Sequence, residues 1–317
     1  MNNNESLTIV GAGMAGLLAG NMLRRHSPKI IEAKGSLPEN HTALLRFRTT
    51  SVSDATGIPF EPIRVSKGVW DGVDVLPRAT LRMANQYSLK VTGEIHRRSI
   101  TNLEEETRYL APRNFVQQMA ASLNIEYNSP LKSAQNRAFH SKPIISTLPM
   151  PALMKILGWA QIPKFKAASE VGTWNIFFSS PRSTVHQTVY NPDLFDETFP
   201  WYRATLHRNQ LIVEFTKEVE IDLDSIDFLM EEVFGIENYK FSSGSSSKIP
   251  LGKIAPIPED IRKDFISWAT DEFNIYSLGR FATWRPGLLL DSLPSDIKLI
   301  ENMISNPSKY NRKLQSK

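Results

Sequence analysis

Apolar and polar positions along this chain change period often, and the changes mark its elements. Leu7–Val10 is a short apolar run with β-branched residues, the pattern of a buried strand. Leu17, Leu18, Met22 and Leu23 then recur at helical spacing, with Arg24 and Arg25 where a helix C-terminus favours cations. Pro28 breaks the pattern and Lys29–Ile31 starts a second strand, which Glu32 ends. Residues 33–40 read as a loop, and residues 43–48 as an extended segment with Arg46 and Arg48 on one face. A short helix is expected over 49–57, irregular chain around Pro59 and Pro62, a strand over 63–70, and helices over 79–87 and 112–123.

Ile144 and Ile145 form a short buried strand ending in a Ser-Thr turn, with a helix from Ala152 to Leu157 after it. Here the chain returns to the first sheet. Four β-rich runs follow, at 170–178, 185–190, 202–207 and 210–215, with Arg208-Asn209 as a hairpin turn between the last two. They predict a largely antiparallel sheet. Residues 221–234 read as one amphipathic helix with Ile226, Leu229, Met230 and Val233 on its apolar face. Ser242–Ser247, interrupted only by Gly244, is low in complexity and is expected to be mobile. Residues 274–278 return as a strand, 295–304 form a last helix, and 306–317 are polar and frayed. No period of 20–50 residues recurs, so a repeat protein is excluded.

The chemistry concentrates at the first strand. Gly11-Ala12-Gly13-Met14-Ala15-Gly16 follows it at once and matches G-x-G-x-x-G. Gly11 permits the tight turn, Gly13 lets backbone approach a pyrophosphate, and Gly16 lets the helix pack on the sheet. Glu32 stands where a carboxylate meets the hydroxyls of an adenosine ribose. The stretch is not read as a signal peptide, because MNNNES carries no positive charge and no small-residue cleavage site follows. The expected fold class is α/β: a Rossmann-like nucleotide-binding domain (1–48, 108–157 and 265–317) with a β-rich substrate domain inserted in two segments (49–107 and 158–264).

Composition narrows the classes. The chain has 317 residues, enough for one or two domains, and its 41% hydrophobic and 22% charged content is ordinary for a soluble globular protein. No apolar run has transmembrane length. The absence of Cys excludes disulfides, thiolate metal sites and a cysteine nucleophile, and fits a cytoplasmic chain. The six histidines, His26, His41, His96, His140, His186 and His207, show no metal spacing, so no metal is expected. A net charge of +4 is small for a dedicated nucleic-acid binder. Cations cluster, however, in residues 41–113, among them Arg46, Arg48, Arg64, Lys67, Arg78, Arg82, Arg97, Arg98 and Arg108. They read either as a solvated surface or as a wall facing cofactor phosphates or a polyanionic substrate.

Three separated blocks carry a resemblance: the G-x-G-x-x-G unit, the strand ending in ISTLP, and the strand–Gly-Arg–turn–helix at the C-terminal end. Together they resemble the two-domain FAD-dependent oxidoreductases of the glutathione-reductase, amine-oxidase and UDP-galactopyranose-mutase type. Gly279-Arg280-x-x-Thr283-Trp284-Arg285 is similar to a Gly-Arg-x-x-Thr-aromatic-Arg stretch of the mutases, with Asp291 near the position of a later acid. The resemblance implies FAD as cofactor, held by Gly11, Gly13, Met14, Ala15, Gly16, Glu32, Thr147, Gly279, Arg280 and Asp291. Arg280 would pair with the pyrophosphate, whose oxygens suit the guanidinium fork. The backbone of 289–292 would face the flavin. The family's paired glycine after the ribose acid is missing, and Arg46 or Arg48 stands in for the arginine that accompanies it. LLRFR, GIPF and GRFATWRPG also look like small phage flavoproteins of thymine hypermodification, for which the compartment would be the host cytoplasm.

These resemblances imply a FAD-dependent oxidoreductase or oxidative lyase acting on an amine or amino-acid-like group. Its partner would be an amine-containing small molecule or, in the phage reading, amino-acid-modified thymine in DNA. A redox-neutral sugar-nucleotide mutase-like enzyme and a non-catalytic flavin-binding accessory protein stand as alternatives. No catalytic residue is disclosed. Lys253 is the candidate, set against the reading of an exposed turn lysine. Trp70, Trp174, Trp201 and Tyr202 read either as stacking residues or as core.

Overall fold

The computed structural model describes residues 7–37, 44–95, 99–131, 142–165, 167–179, 186–195 and 197–306. Its strands are β1 (Thr8–Val10), β2 (Lys29–Ile31), β3 (Arg46–Phe47), β4 (Glu61–Trp70), β5 (Val75–Leu76), β6 (Glu106–Leu110), β7 (Asn124–Glu126), β8 (Ile144–Ser146), β9 (Ala167–Ser179), β10 (His186–Tyr190), β11 (Trp201–His207), β12 (Gln210–Phe215), β13 (Lys240–Ile254) and β14 (Ile275–Ser277). Its helices are α1 (Met14–Met22), α2 (Ser51–Thr56), α3 (Leu81–Thr92), α4 (Phe115–Ala120), α5 (Met150–Leu157), α6 (Leu223–Phe228), α7 (Glu259–Phe273) and α8 (Leu293–Ser305). The chain divides into two compact units. Unit 1 is Met1–Glu61, Tyr109–Phe165 and Pro256–Lys317; unit 2 is Pro62–Arg108 and Lys166–Ala255.

Unit 1 is built on a five-stranded, all-parallel sheet in the order β14-β8-β1-β2-β7. Parallel strands require crossovers, and the sheet has helices to cover it, so its central strands read as uninterrupted apolar runs. Ile9, Ile30 and Ile145 are buried in one core with Leu17 and Leu18 of α1 and Ile297 of α8. Phe60 closes that core between Phe47 (ring centroids 4.9 Å apart) and Phe115 (5.1 Å). This is a Rossmann-type sheet, as the first motif predicts.

Unit 2 carries a mixed sheet, β13-β9-β12-β11-β10-β4-β6, with β5 beside β4. Of the pairings, β10 with β4 is parallel, while β10–β11, β11–β12, β12–β9 and β13–β9 are antiparallel. One face is apolar: Trp174, Ile176, Val189, Trp201, Leu206, Leu211, Val213 and Phe215 pack with Ile226, Leu229, Met230 and Val233. Alternation places Thr173, Asn175, Thr188, Thr205, Gln210 and Glu214 on the other. On that side α3 contributes Ala84, Tyr87 and Val91 to a smaller cluster with Val69, Val171 and Tyr202.

Several expectations are corrected. The serine-rich segment is part of β13, paired along β9 from Lys240 to Ile254 through three register shifts. Its small polar side chains read as a flexible linker because it is an exposed edge strand, whose partner contacts are made by backbone. Residues 221–234 hold not one regular helix but α6, capped by Asp222 through Ser225 N–H, followed by a π-helical turn over Leu229–Val233. The apolar face survives because all four of its residues are buried. The helix expected over 112–123 is only α4, and that over 79–87 runs on as α3 to Thr92. The 15-residue α7 and strands β6 and β7 were not anticipated. The domain bounds shift too: 49–61, 158–165 and 256–264 belong to unit 1, and Arg108 to unit 2. Val52 of α2 and Ile58 are buried in the unit 1 core, which holds that segment there. Among the described residues no helix is long and apolar enough to cross a membrane. The loop around 38–43, the start of the run at Val185, and the tail beyond Asn306 lie outside the described residues, as do Arg97, Arg98, His41, His96 and His140.

Phe215 is fully buried against Trp174 (4.7 Å between centroids) and Phe199 (5.5 Å). Phe215→Ala is therefore expected to destabilise unit 2 by about 3–5 kcal/mol, read as a lowered urea midpoint in its unfolding transition.

Candidate nucleotide-binding site

Three strand ends meet at one place in unit 1. Leu278 N–H donates to Ser146 O (2.9 Å), and Thr147 N–H donates to Val10 O (2.9 Å), so the chain leaves β14, β8 and β1 side by side. Thr147 Oγ1 adds a second bond to Val10 O at 2.8 Å. Gly11 turns out of β1 at φ +95°, and a Cβ there would lie 2.4 Å from Thr147 Oγ1. Gly16 is as tightly placed, since its Cβ would stand 1.9 Å from Gly11 O. Both glycines are required by backbone and neighbour, which accounts for the first and third positions of the motif.

Gly13 differs. It precedes α1 at φ −73°, extended backbone open to any residue, and a Cβ would meet nothing within 4 Å. The protein's own atoms therefore leave open the space that a side chain at Gly13 would enter. Gly13 instead borders a cavity of about 550 Å3, which Met14, Arg46, Thr147, Gly279, Arg280 and Asp291 also line. The cavity lies outside the carboxyl ends of β1, β8 and β14, on the side where open α/β sheets bind ligands. The candidate residues divide around it as follows. Ala15 also lines the cavity, while Gly11, Gly16 and Glu32 are not among its lining residues.

Glu32 follows β2 and pins the glycine-rich turn. Ala12 N–H donates to its Oε2 (2.7 Å) and Lys34 N–H to its Oε1 (2.9 Å). A carboxylate has about four acceptor sites, so two bonds leave room for a diol. Arg46 and Arg48 do not share a face. β3 ends at Phe47 and the chain turns, because Arg48 N–H (2.7 Å) and Thr49 N–H (2.8 Å) both donate to Asp291 Oδ1. Arg46 lines the cavity and Arg48 is exposed. Asp291 is thus a clamp on the 48–49 turn as well as a lining residue, and Ser51 Oγ donates to its carbonyl (3.0 Å). Leu290–Ser292 form a helical turn leading into α8.

The Gly279–Arg285 stretch is a rigid turn. Gly279 has φ +93°, and a Cβ there would stand 3.0 Å from Ala15 Cβ of α1. Thr283 N–H (2.9 Å) and Thr283 Oγ1 (2.8 Å) both donate to Gly279 O. From α7, Arg262 Nη1 donates to Thr283 O at 3.1 Å while its fork holds Glu259. Arg262 escaped sequence reasoning along with α7. The Glu259–Arg262 spacing was its only signal, and many surface helices carry such a pair.

Unit 2 holds Lys253, Tyr202 and two histidines. Tyr202 Oη donates to Glu214 Oε1 (3.0 Å), Arg203 Nε pairs with Glu214 Oε2, and Lys253 Nζ lies 5.5 Å from the Tyr202 ring centroid. A register shift between Trp201 and Arg203 turns Tyr202 and Arg203 toward this cluster. Burial and the Glu214 carboxylate push the Tyr202 hydroxyl well above its ordinary pKa. Burial alone would raise Glu214, but Arg203 and Lys253 hold its carboxyl below the usual range. Trp174 and Trp201 are core, and Trp70 packs edge-on against Phe228. His186 and His207 stack, with their Nδ1 atoms 2.7 Å apart. Among the described residues no three His, Asp or Glu side chains form a metal-binding group. Of the basic segment, Arg64 pairs with Glu105 and Lys67 and Arg108 with Glu106, while Arg78 and Arg82 are exposed.

No protein-family model and no curated protein sequence matches the chain. Solved structures do. A reduced UDP-galactopyranose mutase superposes with TM-score 0.63 at 16% identity, over 95% of this chain and 94% of that one. The p-nitrophenol 4-monooxygenase PnpA from Pseudomonas putida gives 0.56 at 11% identity, over 98% and 82%. A geranylgeranyl bacteriochlorophyll reductase-like protein from Thermoplasma acidophilum gives 0.54 at 11%, over 98% and 81%. The chain shares its fold with these structures.

Two outcomes follow from this geometry. Gly16→Val should lose about 1–3 kcal/mol of stability by overpacking, whereas Gly13→Val should stay within about 1 kcal/mol of wild type, both read by urea unfolding. Glu214→Gln leaves Arg203 without its counter-charge. With a third of the Arg203 side chain exposed, the cost at pH 7 is about 1–3 kcal/mol. Because the Glu214 carboxyl has a lower pKa folded than unfolded, its contribution is present above the unfolded value and is lost as pH falls through the folded one. The wild-type and Glu214→Gln unfolding midpoints should therefore converge as the pH is lowered through that window.

Proposed function

We propose that unit 1 binds FAD in the cavity at the ends of β1, β8 and β14, and that the protein is a FAD-dependent oxidoreductase. The observation that carries this reading is the convergence of three distant sequence blocks on one cavity. The G-x-G-x-x-G turn, Thr147 and Gly279-Arg280 all border it, and the open space at Gly13 fits a ligand that needs close backbone approach. The likeness of the fold to flavoenzyme structures supports FAD over other dinucleotides.

In this reading Glu32 accepts from the adenosine ribose while it keeps the glycine-rich turn in place. Gly13 and the start of α1 meet the pyrophosphate with backbone N–H groups and the positive end of the helix dipole. Arg280 adds a fixed charge to the same phosphates. The turn before α8 offers backbone donors to the flavin ring, and Asp291 holds the 48–51 turn beside it. Bound FAD supplies the redox chemistry, and the chain supplies binding, orientation and exclusion of water.

The finer reading is an amine or amino-acid-like substrate, oxidised or cleaved after oxidation. It rests on the resemblance of the three sequence blocks to the two-domain FAD-dependent oxidoreductases, the amine oxidases among them. Amino-acid-modified thymine in DNA would be such a substrate, with Arg78 and Arg82 among its phosphate contacts. Pairing of Arg64, Lys67 and Arg108 with acids lowers the charge that DNA would meet, and this favours a small molecule. Lys253 is proposed as a substrate-side group, held over Tyr202 and near Glu214.

The test begins with the purified protein: denature it and identify the released nucleotide, then titrate the stripped protein with FAD and with NADH. FAD should bind, and Glu32→Ala should weaken it by about 1–3 kcal/mol. Gly13→Val should weaken it more while folding normally. Tight NADH binding with no FAD binding would sink the reading. Bleaching of the flavin by amines supports the amine substrate; activity appearing only after dithionite reduction would replace it with the mutase-like alternative. Neither response would point to an accessory protein. Labelled DNA titrated at two salt concentrations separates the DNA reading, because phosphate contacts weaken steeply with salt.

A further inference from the structure

The structure assigns Thr283 the role of a positioning residue that sets Arg280 at the cavity, and this rests on the proposed FAD site. All of Thr283's polar atoms are engaged, and the residue is 7% exposed. Its N–H and Oγ1 converge on Gly279 O, the carbonyl immediately before Arg280. Its Oγ1 also accepts from Arg285 Nε (3.1 Å), and Arg285 Nη2 reaches Asp296 Oδ2 on α8 at 2.9 Å. Its carbonyl accepts from Arg262 on α7. Thr283 therefore joins α7, α8 and the end of β14 in one knot.

The knot is needed because the turn is strained. Trp284 has φ +46°, a left-handed backbone that a bulky aromatic rarely adopts. Such a conformation persists only where its surroundings over-determine it. The Thr283 bonds hold it on one side, and on the other Phe165, whose ring packs edge-on against Trp284 at 4.6 Å. Arg285 N–H closes the turn on Arg280 O at 3.0 Å. With Gly279 at φ +93° at one end and Trp284 at the other, Arg280 has little freedom in backbone direction. Its guanidinium lies 5.6 Å from the Phe281 ring centroid, which fixes it further. A surface turn without ligand duty has no need for a buried threonine hub tied to two helices. A turn that must present one guanidinium to a phosphate has that need, since a fixed donor loses less on binding than a mobile one.

The test is a double-mutant cycle on FAD affinity, measured with the stripped full-length protein by flavin fluorescence, with unfolding midpoints recorded alongside. Thr283→Val keeps the shape and removes the hydroxyl. It should weaken FAD roughly tenfold, the size of a coupling between neighbouring groups, and Thr283→Ser should restore binding to within about twofold of wild type. In an Arg280→Ala background, Thr283→Val should have no further effect. Additive losses in the two variants, or wild-type binding by Thr283→Val, would overturn the assignment. So would an Arg280→Ala protein that binds FAD as wild type does. If Thr283→Val does not fold, Arg262→Met, which removes the donor to Thr283 O, takes its place in the cycle under the same criteria. Failure of the wild type to bind FAD would instead remove the FAD reading, and this assignment with it, and is seen first.

Discussion

The close passage of the Gly11 backbone past Thr147 is the constraint on which unit 1 depends. Three parallel strands end there within hydrogen-bond reach of one another, and no side chain can be added at Gly11 without displacing the Thr147 hydroxyl that donates to Val10 O. The passage brings the glycine-rich turn, the Thr147 turn and the Gly279 turn onto one cavity. Glu32 ties the same turn from the far side through Ala12 N–H. The shape of the cavity is thus set by backbone and by the Thr147 hydroxyl, with the charged groups added on top of it.

Unit 2 follows a different logic. Its sheet has one apolar face under a helix and one face where polar side chains are buried in mutual pairs. Thr188 meets Thr205 (3.3 Å), Gln210 Nε2 donates to Asn175 Oδ1 (2.7 Å), and Glu214 is shared by Tyr202 and Arg203. Buried polar groups are tolerable only when paired, and a paired network fixes register more sharply than apolar packing does. A slip of one residue along β11 would separate Thr205 from Thr188, and Tyr202 and Arg203 from Glu214, at once.

Much of this was legible in the chain. The strand–glycine–helix–strand unit, the Ile144–Ile145 return and the Ile275 strand each carry a local signal, and parallel pairing follows from their buried β-branched residues. Glu32 and Gly13 were legible because the motif's spacing encodes close approach. What escaped depended on partners far away in sequence. Nothing in residues 43–48 shows that Asp291 will turn the chain at Arg48. Nothing in the serine run shows a β9 partner, because backbone pairing leaves no side-chain trace. The role of α7 was invisible for the same reason: Arg262 matters through a carbonyl at Thr283. The Lys253 environment needed the register shift at Tyr202, which no periodicity announces.

The serine-rich edge strand has a consequence for the molecule in solution. A 15-residue edge is long enough to recruit another chain, and edges of that length invite association. Here the small polar side chains of 242–247, Lys240, Lys248 and three shifts of register leave few consecutive residues flat. Those are the features by which an edge strand is kept from pairing with another chain. It is also the place in unit 2 where exchanging one small polar residue for another disturbs least, so a spectroscopic label can be attached there without entering either packed face.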